Sequence, residues 1–144
     1  MKILVTGVKG QLGFDVVNEL EQRGHTAIGV DIEEMDITNK ESVNTVIHGA
    51  NPDGVIHCAA WTAVDAAEEE ENKEKVMAVN ASGTRYIAEV CKDLAIPMMY
   101  ISTDYIFDGQ GETPWTPDQQ NYAPLNVYLS LIHISEPTRL DVIS

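Results

Sequence analysis

Three glycines recur at every third position in Thr6-Gly7-Val8-Lys9-Gly10-Gln11-Leu12-Gly13, and that spacing suits a loop that holds phosphate. Gly7 lets the chain turn sharply after an apolar run. Gly10 lets backbone approach a pyrophosphate with no Cβ in the way, and Gly13 lets the next helix pack closely. A helix opening at such a loop points unpaired N–H groups and its positive dipole end at the anion. Asp31 stands 18 residues beyond Gly13. A carboxylate there accepts hydrogen bonds from an adenosine ribose and favours NAD(H). Lys9 offers the opposite contact, an ammonium for a 2′-phosphate, so the pair leaves NADH and NADPH both open. A glycine pattern alone is a weak signal, and a tight turn with no ligand is its bland alternative. Here the strand before, the helix after and a following strand are all present, which favours the dinucleotide reading.

Other chemistry-bearing residues are weaker. The acidic run from Asp65 to Glu71 invites a metal site, but consecutive glutamates point different ways around a helix, whereas a metal needs converging ligands. It reads as a solvated helix start whose carboxylates favour the N-terminal dipole, and no metal ligands are assigned. Cys58 and Cys91 sit far apart in apolar patterns and read as two buried thiols in a reducing compartment.

The elements that position the loop alternate. Apolar runs predict strands at Lys2 to Thr6, Thr26 to Asp31, Val55 to Ala60 and Met98 to Ser102, with a very short fifth at Met35-Asp36-Ile37. Helical spacing predicts helices over Gly10 to Gln22, Lys40 to Ala50 and Glu71 to Leu94, the last with one stripe of Val76, Val79, Gly83, Ile87, Val90 and Leu94. Five-residue strands alternating with long helices give βαβ crossovers. The expected fold is α/β, a Rossmann-type doubly wound parallel sheet truncated after the fifth strand. Residues 1–128 form an incomplete dinucleotide-binding domain. Residues 129–144 break the pattern, resemble translated sequencing-adapter read-through and are set apart as a non-native tail.

Composition narrows the classes. The chain has 144 residues, about one domain, and 9 basic against 23 acidic residues give a formal charge of −14. Such a surface repels polyanions and excludes a general nucleic-acid binder. A hydrophobic content of 44% supports a core. No window approaches ~18 consecutive apolar residues, and the start reads as a strand rather than a signal peptide. The expectation is a soluble, acidic, cytoplasmic protein with no membrane or nucleic-acid partner.

With these residues placed, four stretches resemble the dTDP-4-dehydrorhamnose reductase family of the extended short-chain dehydrogenase/reductase superfamily. They are the glycine loop ending Gln11-Leu12-Gly13, the segment from Cys58 to Asp65, the strand end from Ser102 to Gly109, and Pro124-Leu125-Asn126-Val127-Tyr128. The resemblance covers residues 1–128. The family pattern continues with a lysine four positions after the tyrosine, where this chain has Ile132. The family's C-terminal sugar-binding part does not follow.

The resemblance implies reduction of the C4 ketone of dTDP-4-dehydro-L-rhamnose to dTDP-L-rhamnose by NADPH or NADH. Tyr128 would be the general acid, and Thr103 would hydrogen-bond the same oxygen. A free tyrosine titrates near ~10, too high for easy proton transfer at neutral pH without a nearby ammonium. Cofactor contacts fall to Gly7, Lys9, Gly10, Gln11, Leu12, Asp31, Asp36, Ile37, Ala59, Ala60, Thr62 and Ser102. Sugar contacts fall to Val64, Asp65, Asp104 and Tyr105. Asp15 matches a carboxylate linked in family members to Mg²⁺ at a homodimer contact of the full-length form. Asn80 would link backbone to an active-site water, with a solvent-facing role as the alternative. Trp61 is either a buried anchor or a cover over the nicotinamide. Two other readings stand beside the reductase: a non-catalytic nucleotide-binding regulator resembling the regulatory subunit of methionine adenosyltransferase, and a related nucleotide-sugar epimerase or dehydratase.

Overall fold

The computed structural model describes residues 1–67, 69–102 and 116. Thr103, Asp104, Tyr105, Tyr128, Ile132 and the segment 129–144 lie outside the described residues, and of Val64 only the backbone is described.

Strand β1 (Lys2–Thr6) is buried from Ile3 onward, as its apolar run requires of a strand covered on both faces. Helix α1 (Gln11–Gln22) turns its Val16, Val17 and Leu20 stripe inward. It ends where Gly24 takes φ +76° and the His25 amide reaches back to the Leu20 carbonyl at 2.9 Å. Strand β2 (Thr26–Val30) follows. Helix α2 (Lys40–Ala50) is capped by Asn39, whose Oδ1 accepts from the amides of Glu41 and Ser42, and Asn51 closes it at φ 44°. Strand β3 (Gly54–His57) leads into α3 (Val64–Ala67) and α4 (Glu70–Val76). A π-helical segment, Met77–Gly83, joins α4 to α5 (Thr84–Asp93), and β4 (Met98–Tyr100) comes last.

Among the described residues all pairings are parallel, in the order β2-β1-β3-β4. The chain steps from β1 outward to β2, then crosses to the other side of β1 for β3. That reversal opens a crevice at the carboxyl ends of β1 and β3, the place where α/β sheets bind ligands. The core beneath it gathers Leu4, Val30, Met35, Val43, Ile47, Val55 and Ile87.

The α/β Rossmann-type sheet follows the expectation, with differences. Met35-Asp36-Ile37 forms no strand, so the described residues hold four strands and not five. Asp36 Oδ1 accepts from the Thr38 amide and hydroxyl at 2.9 and 2.7 Å, which closes a local turn and withdraws the backbone from any ladder. Met35 and Ile37 are apolar because they plug the core. The strands after residues 55 and 98 are also shorter than their apolar runs, because Cys58 onward turns out to build the site.

Candidate functional site

A cleft of about 740 Å³ occupies the crevice. Its lining includes four segments. They are the glycine loop (Gly7, Lys9, Gly10, Gln11, Leu12 and Gly13), the turns after β2 (Asp31, Asp36 and Ile37), the stretch after β3 (Ala59, Ala60 and Thr62), and Ser102 after β4. Every cofactor contact expected from the sequence therefore falls on one cleft. Asp65 is exposed on α3 and lines no part of it, and Asp15 is exposed on α1, also outside it.

The three glycines have separable reasons. Gly7 has φ +71°, and a Cβ there would stand 2.8 Å from the backbone of Ala59. A Cβ on Gly13 would stand 2.3 Å from the Gly7 carbonyl oxygen. The fold itself forbids a side chain at both. Gly10 has an extended backbone (φ −81°, ψ 161°), and its Cβ would come no nearer than 3.3 Å to the Gly7 oxygen. Gly10 also precedes α1, whose start has no side-chain cap, unlike that of α2. The first amides of α1 are left for something else to bond.

Around Asp31, both carboxylate oxygens are engaged: Oδ2 accepts from the Lys9 amide at 3.0 Å and Oδ1 from the Ile32 amide at 2.9 Å. The exposed Lys9 ammonium pairs with Glu33 at 2.7 Å, and that contact raises its pKa, with lesser help from Glu34 and Asp31. The cation once free to favour a 2′-phosphate thus has a carboxylate partner.

The opposite wall hangs on buried polar groups. Thr6 Oγ1 accepts from the Cys58 and Ala59 amides and faces His57 Nδ1 at 2.7 Å. His57 is buried, stacks on Tyr100 with centroids 5.9 Å apart, and burial lowers its pKa to about 4. Asn80, buried in the π-helical segment, grips Trp61 twice: Oδ1 accepts from its amide at 2.8 Å and Nδ2 donates to its carbonyl at 3.1 Å. Asn80 is therefore not solvent-facing. Half-buried Trp61 packs on Ala67, Val76 and Ala81, the arrangement of an anchor, and is not among the described residues lining the cleft. Cys58 lines the cleft half-buried and Cys91 is fully buried; burial raises both thiols, Cys91 to about 12. Ser102 has a buried hydroxyl without a hydrogen-bond partner among the described residues.

Sequence reasoning missed Thr6 and His57. The available signal was a polar pair at the last positions of two otherwise apolar strands, which the β1–β3 register sets side by side.

A parallel sheet wound both ways from β1, with a glycine loop and an uncapped helix start at its switch point, defines a Rossmann-type domain. The family described as RmlD substrate binding domain matches residues 1–132, and the chain belongs to that family. A dTDP-4-keto-6-deoxy-D-glucose reductase from Streptomyces niveus is 34% identical over 140 residues, 97% of this chain and 48% of the relative. The crystal structure of a dTDP-4-dehydrorhamnose reductase from Clostridium acetobutylicum superposes with a TM-score of 0.90 at 34% identity, covering 99% of this chain and 50% of that one. A dTDP-4-dehydrorhamnose reductase from Bacillus anthracis, solved in complex with NADP, gives a TM-score of 0.84 at 32% identity, with 98% and 49% covered. The chain spans about half the length of the relatives it matches.

Proposed function

We propose that the chain is the dinucleotide-binding portion of an NAD(P)H-dependent reductase of nucleotide-sugar biosynthesis, acting on dTDP-4-dehydro-L-rhamnose. The observation that carries this is one cleft at the switch point, lined by all twelve residues expected to contact the cofactor. The family membership and the NADP bound to the Bacillus anthracis relative support it. So does the chemistry of the donors present: an uncapped helix start behind Gly10 and the Ser102 hydroxyl, unpartnered among the described residues, are groups a dinucleotide would satisfy.

In this reading the amides of Gln11 and Leu12 hold the pyrophosphate, Asp31 holds the adenosine ribose, and Asp36 and Ile37 flank the adenine. Ala59, Ala60 and Thr62 wall the nicotinamide end, with Ser102 beside them. The bound nicotinamide supplies hydride. Thr103 and Tyr128, by the family pattern, hydrogen-bond and protonate the ketone oxygen, and positioned acids of this kind give roughly 10²–10⁴-fold. Ile132 occupies the position of the family's lysine, so the tyrosine lacks the ammonium that would ease its proton transfer. The chain as it stands should therefore bind cofactor without reducing ketone. Its two free thiols suit a reducing, cytoplasmic setting.

Calorimetry with NADH and NADPH tests the reading. Gly10→Val should abolish measurable binding while leaving the melting temperature little changed. Unaltered affinity would remove the glycine loop from the site.

A further inference from the structure

The wall of the cleft after β3 depends on one buried imidazole. Thr6 Oγ1 accepts from the Cys58 and Ala59 amides, each at 3.1 Å. A hydroxyl has two lone pairs and one proton, so its only remaining bond is a donation, and His57 Nδ1 receives it at 2.7 Å. On the far side of the ring, Thr84 Oγ1 donates to the Asn80 carbonyl at 2.8 Å. It therefore accepts from His57 Nε2, 3.1 Å away. Both ring nitrogens are thus assigned: Nδ1 accepts and Nε2 donates. The bonds run in one direction, from the Cys58 and Ala59 amides through two hydroxyls and the ring to the π-helical segment.

Those same amides lie where the glycine loop comes closest. A Cβ on Gly7 would be 2.8 Å from Ala59 N. The orientation of the Thr6 hydroxyl therefore bears on the gap between the two walls. An imidazolium would aim a second N–H at an oxygen whose lone pairs are both taken, and burial disfavours that charge as well.

We propose that His57 is a positioning residue of the cleft: as the neutral Nε2–H tautomer it orients the Thr6 hydroxyl, and so holds the Cys58–Ala59 backbone at the distance from Gly7 that admits a dinucleotide. This rests on the dinucleotide reading of the cleft.

Two measurements test it. Long-range proton–nitrogen spectroscopy of the purified chain at neutral pH reads the tautomer without any cofactor, the His57 signals being identified by their loss in His57→Asn. Neutral Nε2–H is expected, and an Nδ1–H or imidazolium pattern overturns the proposal. NADH titration by calorimetry is the second. His57→Leu should weaken binding about tenfold, the effect of one unmade buried hydrogen bond. His57→Asn, whose Oδ1 can accept from Thr6, should return it to within about threefold of the parent. A purely structural role would lower the melting temperatures and leave the affinity of the folded variants unchanged, which sinks the proposal. Should His57→Leu not fold, Thr6→Val against Thr6→Ser carries the same contrast. A parent chain that binds neither NADH nor NADPH, yet shows the expected tautomer, locates the failure in the dinucleotide reading and takes the positioning role down with it.

Discussion

Among single residues, the glycine loop separates what the fold needs from what a ligand needs. Gly13→Ala drives a methyl group into the Gly7 carbonyl and should destabilise the chain by about 3 kcal/mol or more. Gly10→Ala meets only a 3.3 Å contact and should keep the melting temperature within a few degrees while weakening cofactor. Thermal melts paired with NADH titrations decide both; equal effects from the two substitutions would dissolve the distinction. At the proposed ribose end, Asp31, Glu33 and Glu34 outnumber Lys9. Asp31→Ala removes a like charge from the neighbourhood of a 2′-phosphate and should raise NADPH affinity relative to NADH. Glu33→Gln frees Lys9 and should move the ratio the same way by a smaller factor, roughly two- to fivefold, since both groups are exposed and screened. A ratio unmoved by either substitution would show that the acidic corner does not choose the cofactor.

The elements themselves differ in how they are held. Helix α2 is capped by Asn39, and Asn39→Ala should cost about 1 kcal/mol, read as a lower denaturation midpoint with an unchanged slope. No substitution of that kind exists for α1, whose start is bare where the cleft lies. Legibility followed the same division. β1 was plain as a continuous apolar run buried on both faces, α1 and α2 because their periodicity reflects burial of one face, and the glycine loop because its spacing is set by backbone geometry. Met35 and Ile37 misled because an apolar residue looks the same whether it pairs in a sheet or plugs a core. The long helix was visible as a stripe, but the π-helical turn within it was not, since widening one turn shifts the stripe by less than its own breadth. Its result, Asn80 turned inward onto Trp61, needed coordinates. Thr6 and His57 stayed hidden because their meaning lies in a β1–β3 register across distant parts of the chain.

For the molecule as a whole, the neutral buried histidine sets a dependence on acidity. The folded pKa of His57 lies near 4, below its unfolded value of about 6.5, so the unfolded chain takes up the proton first. Stability from this group is therefore complete above about pH 6.5 and falls as pH drops towards 4, by about 3 kcal/mol over that span. Urea melts at pH 7 and pH 4.5 should show the loss, and His57→Asn should flatten it. Thiol labelling offers a second global probe. Cys91, fully buried with its pKa pushed up to about 12, should react only through unfolding, while Cys58 should react in the native state and be shielded by NADH. Labelling of Cys58 at an equal rate with saturating NADH would place the cofactor elsewhere.

The order β2-β1-β3-β4 also has a history in time. β1 leaves the ribosome before β2, β3 and β4, yet it sits inside the sheet and needs neighbours on both sides. β2 arrives soon after and covers one edge. The other edge waits for β3, and at roughly 5–20 residues per second the interval between Thr6 and His57 lasts several seconds. Among the described residues no antiparallel hairpin offers a local stopgap, because every pairing there is parallel and spans a crossover. Through that interval Ile3, Leu4 and Val5 form an apolar strand with one open edge, the kind of segment that seeks any partner in reach. A stretch left open in the nascent chain thus ends with Leu4 and Val5 wholly buried.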